Sequence, residues 1–313
     1  MTKYNMSETK KNSQIIFLFG PTGVGKTALL SEFFSSGYEV INADSVQVYR
    51  RLDIGSAKPE PEILNTVPHH LIDILDAHEQ FTLGDFIKRS HTLIDEITSR
   101  GSLPVVSGGT AFYFKHLLFG MPEAPPSDEG VRATLAAEAR ERGMEALFSE
   151  LERVDALSAK RINPADSYRI LRALEVYRSS GRPLSSYQMV ASTEPEIAPL
   201  IIGLHRDREE LYGRIDRRVD LMFEQGLIEE MQSLISSGFK PDWPGMRGIG
   251  YREFFIAREC GEFSVRNIAD RIKQHSRRYA KRQMTFFRSL PNVHWIHPDD
   301  TDRITELLHS RSL

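Results

Sequence analysis

An eight-residue segment near the start of the chain constrains the fold more than any other feature. It reads GPTGVGKT at Gly20–Thr27 and matches the pattern G-x-x-x-x-G-K-[ST] in full. The apolar run IIFLF precedes it and the helix-compatible ALLSEFF follows, which is the strand, loop and helix context of a phosphate-binding loop. We call this segment the P-loop. It predicts a polyphosphate ligand without specifying which one. The predicted binding residues are Gly20, Thr22, Gly23 and Gly25, with Lys26 supplying a positive charge and Thr27 a ligand for Mg²⁺.

Short apolar runs alternate with segments of helical periodicity along most of the chain. Between the third and fourth runs, apolar residues from Leu83 to Ile97 recur at helical spacing and stop before Gly101. This alternation predicts an α/β fold, a P-loop core with a parallel sheet flanked by helices. The predicted strands are Ile15–Phe19, Tyr38–Ala43, His70–Ile74, Leu103–Ser107, Leu200–Leu204 and Val293–Ile296.

The alternation breaks between Met121 and Pro199. A proline-rich stretch, MPEAPPSDEG, opens this region, and two helical segments follow it at Val131–Arg153 and Ser167–Ser180. We therefore predict an inserted helical domain at residues 121–198. The core would be formed by residues 1–120 and 199–313.

The composition is that of an ordinary globular protein, with 40% apolar and 27% charged residues among 313. The single cysteine, Cys260, excludes an internal disulfide and a thiolate metal cluster. The first residues are polar, and no apolar run approaches the roughly 18 residues of a membrane span. We expect a cytoplasmic protein, a monomer, without a membrane partner.

A formal net charge of −3 conceals a basic segment near the C-terminal end. Eight Lys and Arg residues lie between Arg266 and Arg288, against the single acid Asp270. At 100° per residue, the basic residues occupy an arc of roughly 180° opposite an apolar arc of roughly 100°. The pattern predicts a helix at Val265–Arg288 that packs through one face and offers a cationic face to phosphates, since a merely solvated surface face normally mixes both signs of charge.

Few acidic or histidine residues are placed for chemistry. Asp44 follows the second predicted strand, where α/β sheets bind ligands, although a carboxylate in a loop can also simply cap backbone N–H groups. A kinase or nucleotide hydrolase would need a second acid, and Asp73 is a weak candidate. His69 and His70 could suggest a metal site, but neighbours on a strand face opposite ways, which favours a structural role.

Nine segments, in order between Ile15 and Arg288, make the sequence resemble the bacterial tRNA dimethylallyltransferases, the IPP transferase family. It departs from the family pattern at Ser107, Ala111 and Phe112, and in short stretches at residues 82–84 and 246–248, which bears on fine specificity. The segments are GPTGVGKT, NADSVQVYR, DIGSAKP, HHLIDI, VVSGGTAFY, RILRALEVYRSSGRPLS, LYGRIDRRVDLM, GIGYREF and RRYAKRQMTFFR.

This resemblance implies a transferase that moves a dimethylallyl group from dimethylallyl pyrophosphate to N6 of adenosine 37 in tRNA, with Mg²⁺ as cofactor. It implies that Asp44 is the general base, that Thr110 contacts the leaving-group oxygen and the target nucleotide, and that Arg218 lies at the pyrophosphate. Arg214, one helical turn before Arg218, can face the same site, whereas Arg217 is assigned to solvent. The implied tRNA-binding set is Asp44, Ser45, Gln47, Thr110, Arg132, Tyr168, Arg169, Arg172, Arg247, Gly250, Arg252, Arg277, Arg278, Lys281 and Arg282.

An adenine stacked in an anticodon loop must be flipped out to reach the end of a crevice. The family implies a channel for this purpose, entered by tRNA at one mouth and by the prenyl donor at the other. Two other enzymes share the P-loop: an adenylate prenyltransferase acting on free AMP, which needs neither the insertion nor the basic helix, and a small-molecule kinase that binds ATP. A non-enzymatic RNA-binding module would leave the P-loop unexplained.

Overall fold

The computed structural model describes residues 15–34, 36–121, 123–187, 199–261 and 263–309. The chain divides into two compact units. One, which we call the core unit, consists of Met1–Leu118 and Ile197–Leu313. The other, the insertion unit, is Phe119–Glu196.

The core unit contains a sheet of six parallel strands, which confirms the predicted α/β fold. The strands are β1 Ile16–Phe19, β2 Tyr38–Asn42, β3 His69–His70, β4 Leu103–Gly108, β5 Leu200–Leu204 and β6 His294–Ile296. Their order in the sheet is β3-β2-β4-β1-β5-β6. The P-loop follows β1, Asp44 follows β2 and Thr110 follows β4, so neighbouring strands deliver all three to one edge of the sheet.

Helices flank this sheet. The helix predicted from the periodicity between Leu83 and Ile97 is present and starts with a reciprocal capping box, in which Thr82 and Asp85 each bond the other's backbone N–H. The basic helix is also present. In the order of the chain, the helices are α1 Lys26–Phe33, α2 Pro61–Thr66, α3 Leu83–Ser99, α4 Ala111–Phe119, α5 Glu129–Val154, α6 Ala156–Arg161, α7 Ser167–Ser180, α8 Arg208–Glu224, α9 Leu227–Ser236, α10 Arg252–Glu259, α11 Val265–Phe287 and α12 Thr301–His309.

Aromatic packing holds α11 against the sheet. Every residue of β1 is buried, as expected for a central parallel strand covered on both faces. Phe19, at the end of β1, stacks on Phe287 of α11 with ring centroids 4.3 Å apart, and Phe114 of α4 meets both rings edge-on. Since Phe19 directly precedes the P-loop, this contact fixes the end of α11 close to the start of that loop.

The third strand is much shorter than predicted. We expected His70–Ile74, but β3 covers only His69–His70. Leu71 and Asp73 adopt left-handed backbone conformations with φ of 63° and 54°, which breaks the extended chain. Ile74 then donates its N–H to the carbonyl of Val48 at 2.9 Å and so pairs with a loop instead of continuing along β2.

The insertion unit is helical within its described residues. Its core consists of leucines from α5, among them Leu135 and Leu151, packed against Ile170 and Leu174 of α7. The α7 helix has the predicted bounds. The predicted helix at Val131–Arg153 is interrupted, because Gly143 inside α5 has a non-helical backbone with φ of 80° and ψ of 160°.

Candidate active site

The P-loop connects buried β1 to α1, which begins at Lys26. Gly25 caps that helix in a left-handed conformation with φ of 118°, which only glycine adopts without strain. The Lys26 ammonium donates hydrogen bonds to the carbonyl oxygens of Gly20 and Pro21 at 2.9 and 3.0 Å. The loop therefore folds around its own lysine.

A cavity of about 550 Å³, the P-loop cavity, lies against this loop. Its other walls come from the ends of β2 and β4 and from α8 and α11. The sequence-predicted residues among its lining are Thr22, Gly23, Gly25, Lys26, Thr27, Asp44, Gln47, Arg214 and Arg218.

A second cavity, of about 290 Å³, adjoins the first. We call it the arginine cavity because Arg218, Arg247, Arg252 and Arg282 line it together with apolar side chains. The two cavities share part of their walls. The shared residues are Thr22, Asp44, Ser56, Arg218 and Tyr279.

Asp44 lies at this junction and is half-buried. Its Oδ1 accepts the backbone N–H groups of Val46 at 2.8 Å and Gln47 at 3.3 Å, which is the capping role that the sequence left open. Within the described part of the chain, Oδ2 accepts no hydrogen bond. One oxygen of the carboxylate therefore fixes the turn, and the other is available to a ligand.

Thr110 supports the same turn from the end of β4. Its hydroxyl accepts the N–H of Ser45 at 3.2 Å, and its own N–H donates to the carbonyl of Ala43 at 3.1 Å. Thr110 does not itself line either cavity. It is placed one residue behind the wall that Gly108 and Gly109 form.

Two arginines of α8 bind the P-loop directly. Arg218 donates from Nη1 to the hydroxyl of Thr22 at 2.7 Å, and Arg214 donates from Nε to the carbonyl of Gly23 at 3.0 Å. They share one face of the helix, as their spacing predicts. Arg217 is exposed, as predicted, but it also borders the P-loop cavity, because that cavity is open to solvent along α8.

Two cations of this cavity, Lys26 and Arg218, are poorly solvated. Burial, reinforced by the neighbouring Arg218 charge, lowers the pKa of Lys26 to about 7, and Asp44 opposes the shift. Burial also lowers the pKa of Arg218, again against Asp44. A site that strips water from two cations is arranged to bind an anion that supplies the missing counter-charge.

Some residues of the site were missed by the sequence analysis. Tyr279 lines both cavities and donates its hydroxyl to the carbonyl of Gly109 at 3.4 Å, whereas the helical projection counted it only as an apolar residue. Gln283 lines the P-loop cavity and is buried. A glutamine in the middle of an apolar arc was a visible signal that it has polar partners inside the protein.

Lys58 was also missed. Its side chain is 6% exposed and lines the P-loop cavity, and its ammonium pairs with Asp73 at 2.5 Å and with Asp53. Asp73, the candidate for a second kinase acid, is therefore held by a structural ion pair and does not line either cavity.

The basic face of α11 is less uniform than predicted. Arg278, Lys281 and Arg282 are exposed, and the Arg282 guanidinium lies 5.8 Å from the centre of the Tyr279 ring. Arg277, however, pairs with Asp216 of α8. Lys273 pairs with Asp220 of the same helix at 2.5 Å. The helical projection could not show this, because the neutralising acids belong to another helix.

The remaining predicted RNA contacts of the core unit lie before and within α10. Arg247 and Arg252 line the arginine cavity, and Arg252 also pairs with buried Glu253 at 2.9 Å. Gly250 lies between them, outside the cavity wall, with its N–H donated to Glu253 at 2.8 Å.

In the insertion unit, some of the side chains predicted to contact RNA are exposed, and others are held by hydrogen bonds or ion pairs within the protein. Tyr168 is 68% exposed, and the exposed Arg169 pairs with Asp166 at 3.3 Å. Arg132 donates to the Ser127 hydroxyl at 3.2 Å. Arg172 is held by the carbonyl of Pro125 at 2.5 Å and by Glu175 at 3.1 Å.

Both histidines at β3 make structural contacts. His69 Nδ1 donates to the carbonyl of Val67 at 2.6 Å, and His70 Nε2 lies 2.7 Å from Glu39. Across the described residues, no group of three or more His, Cys, Asp or Glu side chains is placed to hold a metal ion. No helix in this part of the chain is long and apolar enough to cross a membrane.

Comparison with known proteins gives consistent matches. A family model described as IPP transferase matches residues 47–290, and one described as isopentenyl transferase matches residues 13–79. A tRNA dimethylallyltransferase of Borrelia turicatae is 42% identical over 290 residues, which cover 93% of this chain and 96% of the relative.

Solved structures give the same result. The full-length tRNA isopentenylpyrophosphate transferase from Bacillus halodurans is 37% identical with a TM-score of 0.67, covering 96% of this chain and 95% of its own. A eukaryotic dimethylallyltransferase acting on tRNA has a TM-score of 0.76 at 24% identity, covering 96% of this chain and 77% of its own, which shows a common fold.

Proposed function

The chain belongs to the IPP transferase family, and from this premise we propose that it transfers the dimethylallyl group of dimethylallyl pyrophosphate to N6 of adenosine 37 in tRNA. The products are N6-isopentenyladenosine and pyrophosphate. Dimethylallyl transfer to tRNA is the activity for which relatives along nearly the whole chain are named. The acceptor atom, the nucleotide and the residue roles are our proposal.

The P-loop cavity binds the pyrophosphate of the donor. Negative charge accumulates on this group as the bond between C1 and oxygen breaks, and fixed positive charge in a poorly hydrated site stabilises it. Lys26 and Arg218 meet that requirement once the anion is bound, because burial disfavours their charged forms in the free site and the pyrophosphate charge favours them. Arg214, Gly23 and Gly25 complete the loop side of this site.

Magnesium fits here as an ion held mainly by the substrate. Thr27 lines the cavity beside Lys26 and offers a hydroxyl ligand. The described residues offer no cluster of three acidic or histidine side chains, and Mg²⁺ commonly completes its coordination with phosphate oxygens and water. When bound, the ion would neutralise charge on the pyrophosphate.

Asp44 acts as the general base. The N6 lone pair attacks C1 of the dimethylallyl group, the C1–O bond breaks with its electron pair leaving on pyrophosphate, and the N6 proton passes to the carboxylate. Oδ2 is available for that proton, since Oδ1 is held by Val46 and Gln47. The turn therefore fixes the carboxylate through one oxygen and leaves the other oxygen to accept the proton.

Thr110 is assigned a hydrogen bond from its hydroxyl to the leaving-group oxygen. Its oxygen accepts the Ser45 N–H, and its side chain hydrogen-bonds to Tyr279, which lines both cavities; on substrate binding the Thr110 hydrogen would turn from Tyr279 to the leaving-group oxygen. In addition, the contact to Ser45 orders the segment that carries Asp44. A shift of the β4 end would therefore disturb both groups together.

The tRNA side of the site is the arginine cavity with the exposed basic residues of α11. Met222, Ile249 and Ile272 provide apolar wall for an extruded base. Arg278, Lys281 and Arg282 contact backbone phosphates. The proposed base-reading residues Ser45 and Gln47 follow Asp44, and the proposed contacts of the insertion unit remain Arg132, Tyr168, Arg169 and Arg172.

The observation that carries this proposal is the place of Asp44, where the two cavities share a wall. We expect Asp44→Asn to lower the single-turnover rate of prenylation by roughly 10²- to 10⁴-fold while changing donor affinity much less. The measurement uses excess enzyme and a tRNA with adenosine 37. A rate within about threefold of wild type would return Asp44 to a purely capping role.

Asp73→Asn is the matched control and also tests the kinase alternative. A kinase that used Asp73 as its second acid would lose activity with this variant, whereas we expect prenylation within about threefold of wild type, because Asp73 lies outside both cavities. ATP turnover without dependence on tRNA would favour the kinase. Prenylation of free AMP would favour the adenylate prenyltransferase.

A further inference from the structure

Gln283 of α11 joins two loops of the active site. Its Oε1 accepts the N–H of Thr22 in the P-loop at 2.9 Å, and its Nε2 donates to the carbonyl of Gly109 after β4 at 2.7 Å. The side chain is only 3% exposed. Both ends of one amide are therefore satisfied by the backbone of loops that β1 and β4 deliver.

The fit around this amide leaves little freedom. A Cβ added to Gly109 would lie 2.4 Å from Nε2 of Gln283, so the amide rests directly on the glycine backbone. Arg218 also binds Thr22, because its guanidinium donates a hydrogen bond to the Thr22 hydroxyl at 2.7 Å. The position of Thr22 thus depends on α8 and α11 together.

The same helix presents the RNA face. Arg282 immediately precedes Gln283 and is exposed, and Tyr279, one turn earlier, lines both cavities. Neighbouring residues of a helix move as one body. A displacement of α11 by RNA phosphates would therefore reach the Thr22 amide through a single side chain.

We propose that Gln283 is a positioning residue that couples tRNA binding on α11 to pyrophosphate binding at the P-loop. This inference rests on the proposed function, because it needs both ligands. RNA bound to Arg278 and Arg282 fixes α11, and Gln283 then holds Thr22 and Gly109 in the arrangement that receives pyrophosphate. The coupling is reciprocal, so pyrophosphate must tighten tRNA binding by the same factor.

The test measures binding with the full chain, inorganic pyrophosphate with Mg²⁺ as the probe, and unmodified tRNA. In wild type, we expect tRNA to lower the Kd of pyrophosphate at least about fivefold, and the reverse experiment to give an equal factor. Gln283→Met keeps the length of the side chain but neither hydrogen bond, and the factor should fall below about twofold. Gln274→Met, an exposed glutamine of the same helix, should keep the wild-type factor.

If Gln283→Met does not fold, Gln283→Glu serves in its place. Its carboxylate can accept the Thr22 N–H but cannot donate to Gly109, so the same loss of coupling is expected. An unchanged factor in the folded variant, or weaker binding of both ligands at an unchanged factor, would reduce Gln283 to a structural role. A wild-type factor of one with both ligands bound also overturns the inference, whereas wild type that binds neither ligand refutes the proposed function and the inference with it.

Discussion

The two cavities that meet at Asp44 are built in different ways. One wall of the P-loop cavity is a single short motif that contains Lys26, and the other walls come from the ends of β2 and β4, from residues 56–60 and from α8 and α11. The arginine cavity has no such motif: apart from the residues that it shares with the P-loop cavity, it collects separate side chains from Ser45 to Arg282. A small charged group can be held by local backbone geometry, whereas a base within a long polymer needs a surface that exists only after folding.

The solvation of the cations also differs between the P-loop cavity and the RNA face. Burial lowers the pKa of Lys26 and Arg218 in the P-loop cavity. The cations of the RNA face, Arg278, Lys281 and Arg282, are exposed. We therefore expect donor binding to depend on few strong contacts and RNA binding to depend on several weak contacts that salt screens.

The largest effect that separates the cavities is expected for Lys26→Ala. Loss of the loop ammonium should lower kcat/KM for the donor by about 10³-fold, because charge on the departing pyrophosphate is then poorly stabilised. Binding of tRNA in the absence of donor should change less than about twofold. Filter binding and single-turnover prenylation measure the two quantities, and a parallel loss of tRNA affinity would show that the cavities are not functionally separate.

The pH dependence of donor binding sharpens the same distinction. The pKa of Lys26 is lowered to about 7, and bound pyrophosphate must raise it, because the anion favours the charged form. The donor Kd should thus be flat below pH 7 and rise about tenfold per pH unit from 7 to 9, as the free lysine becomes neutral. Inorganic pyrophosphate titrations at each pH measure this.

Lys26→Arg is the matched control, since a guanidinium stays charged throughout this range. Its donor Kd should be weaker than that of wild type at pH 7 but flat from pH 7 to 9. The tRNA affinity of the wild-type chain should not follow the Lys26 titration. A flat wild-type profile for the donor would mean that the loop lysine is already charged throughout the range.

On the RNA side, a smaller effect is expected from Arg278→Ala combined with Arg282→Ala. The pair should weaken tRNA binding about 3- to 10-fold and reduce the slope of log K against log salt by about 0.7 to 0.9 for each lost contact. Arg277→Ala should change the slope much less, because that guanidinium already pairs with Asp216. If Arg277→Ala reduced the slope as much as each lost contact does in the double variant, the ion pair between Arg277 and Asp216 would have to open when RNA binds.

Features set by a local stretch of sequence could be predicted, whereas features set by contacts between distant elements could not. The P-loop, five of the strands to within one residue and Asp44 after the end of β2 came from local patterns. The early end of β3 did not, because nothing in the sequence marks Leu71 and Asp73 as left-handed. Strand periodicity describes side chains, and it says nothing about a backbone turn made by ordinary residues.

Contacts between helices were the other limit. The helical projection of α11 separated its two faces correctly, yet it could not show that Asp216 and Asp220 of α8 neutralise Arg277 and Lys273. It also gave Tyr279 to the apolar arc without its place at the cavity junction. These features depend on which helix lies beside α11, and that is fixed by the sheet rather than by α11 itself.

The smallest effect is expected at Tyr279, on the wall that the two cavities share. Burial, reinforced by the negative charge of Asp44, raises the pKa of its phenol to about 12. The phenol is therefore neutral throughout the working range and does not compete with Asp44 as the base. Its hydroxyl donates a long hydrogen bond, at 3.4 Å, to Gly109 and also hydrogen-bonds with the side chains of Thr110 and Gln283, so Tyr279→Phe keeps the ring surface and removes only the contacts of a neutral hydroxyl.

We expect the single-turnover prenylation rate of Tyr279→Phe to lie within about threefold of wild type, with the same dependence on pH between 6 and 9. Tyr279→Leu is the comparison that removes the ring, and it should slow the reaction more, because a flat wall at the junction helps to align N6 with C1. If Tyr279→Phe lowered the rate as much as Asp44→Asn does and also changed the pH profile, the phenol rather than Asp44 would be the proton acceptor. The shared wall would then supply chemistry as well as shape, and Asp44 would keep only its hydrogen bonds to Val46 and Gln47.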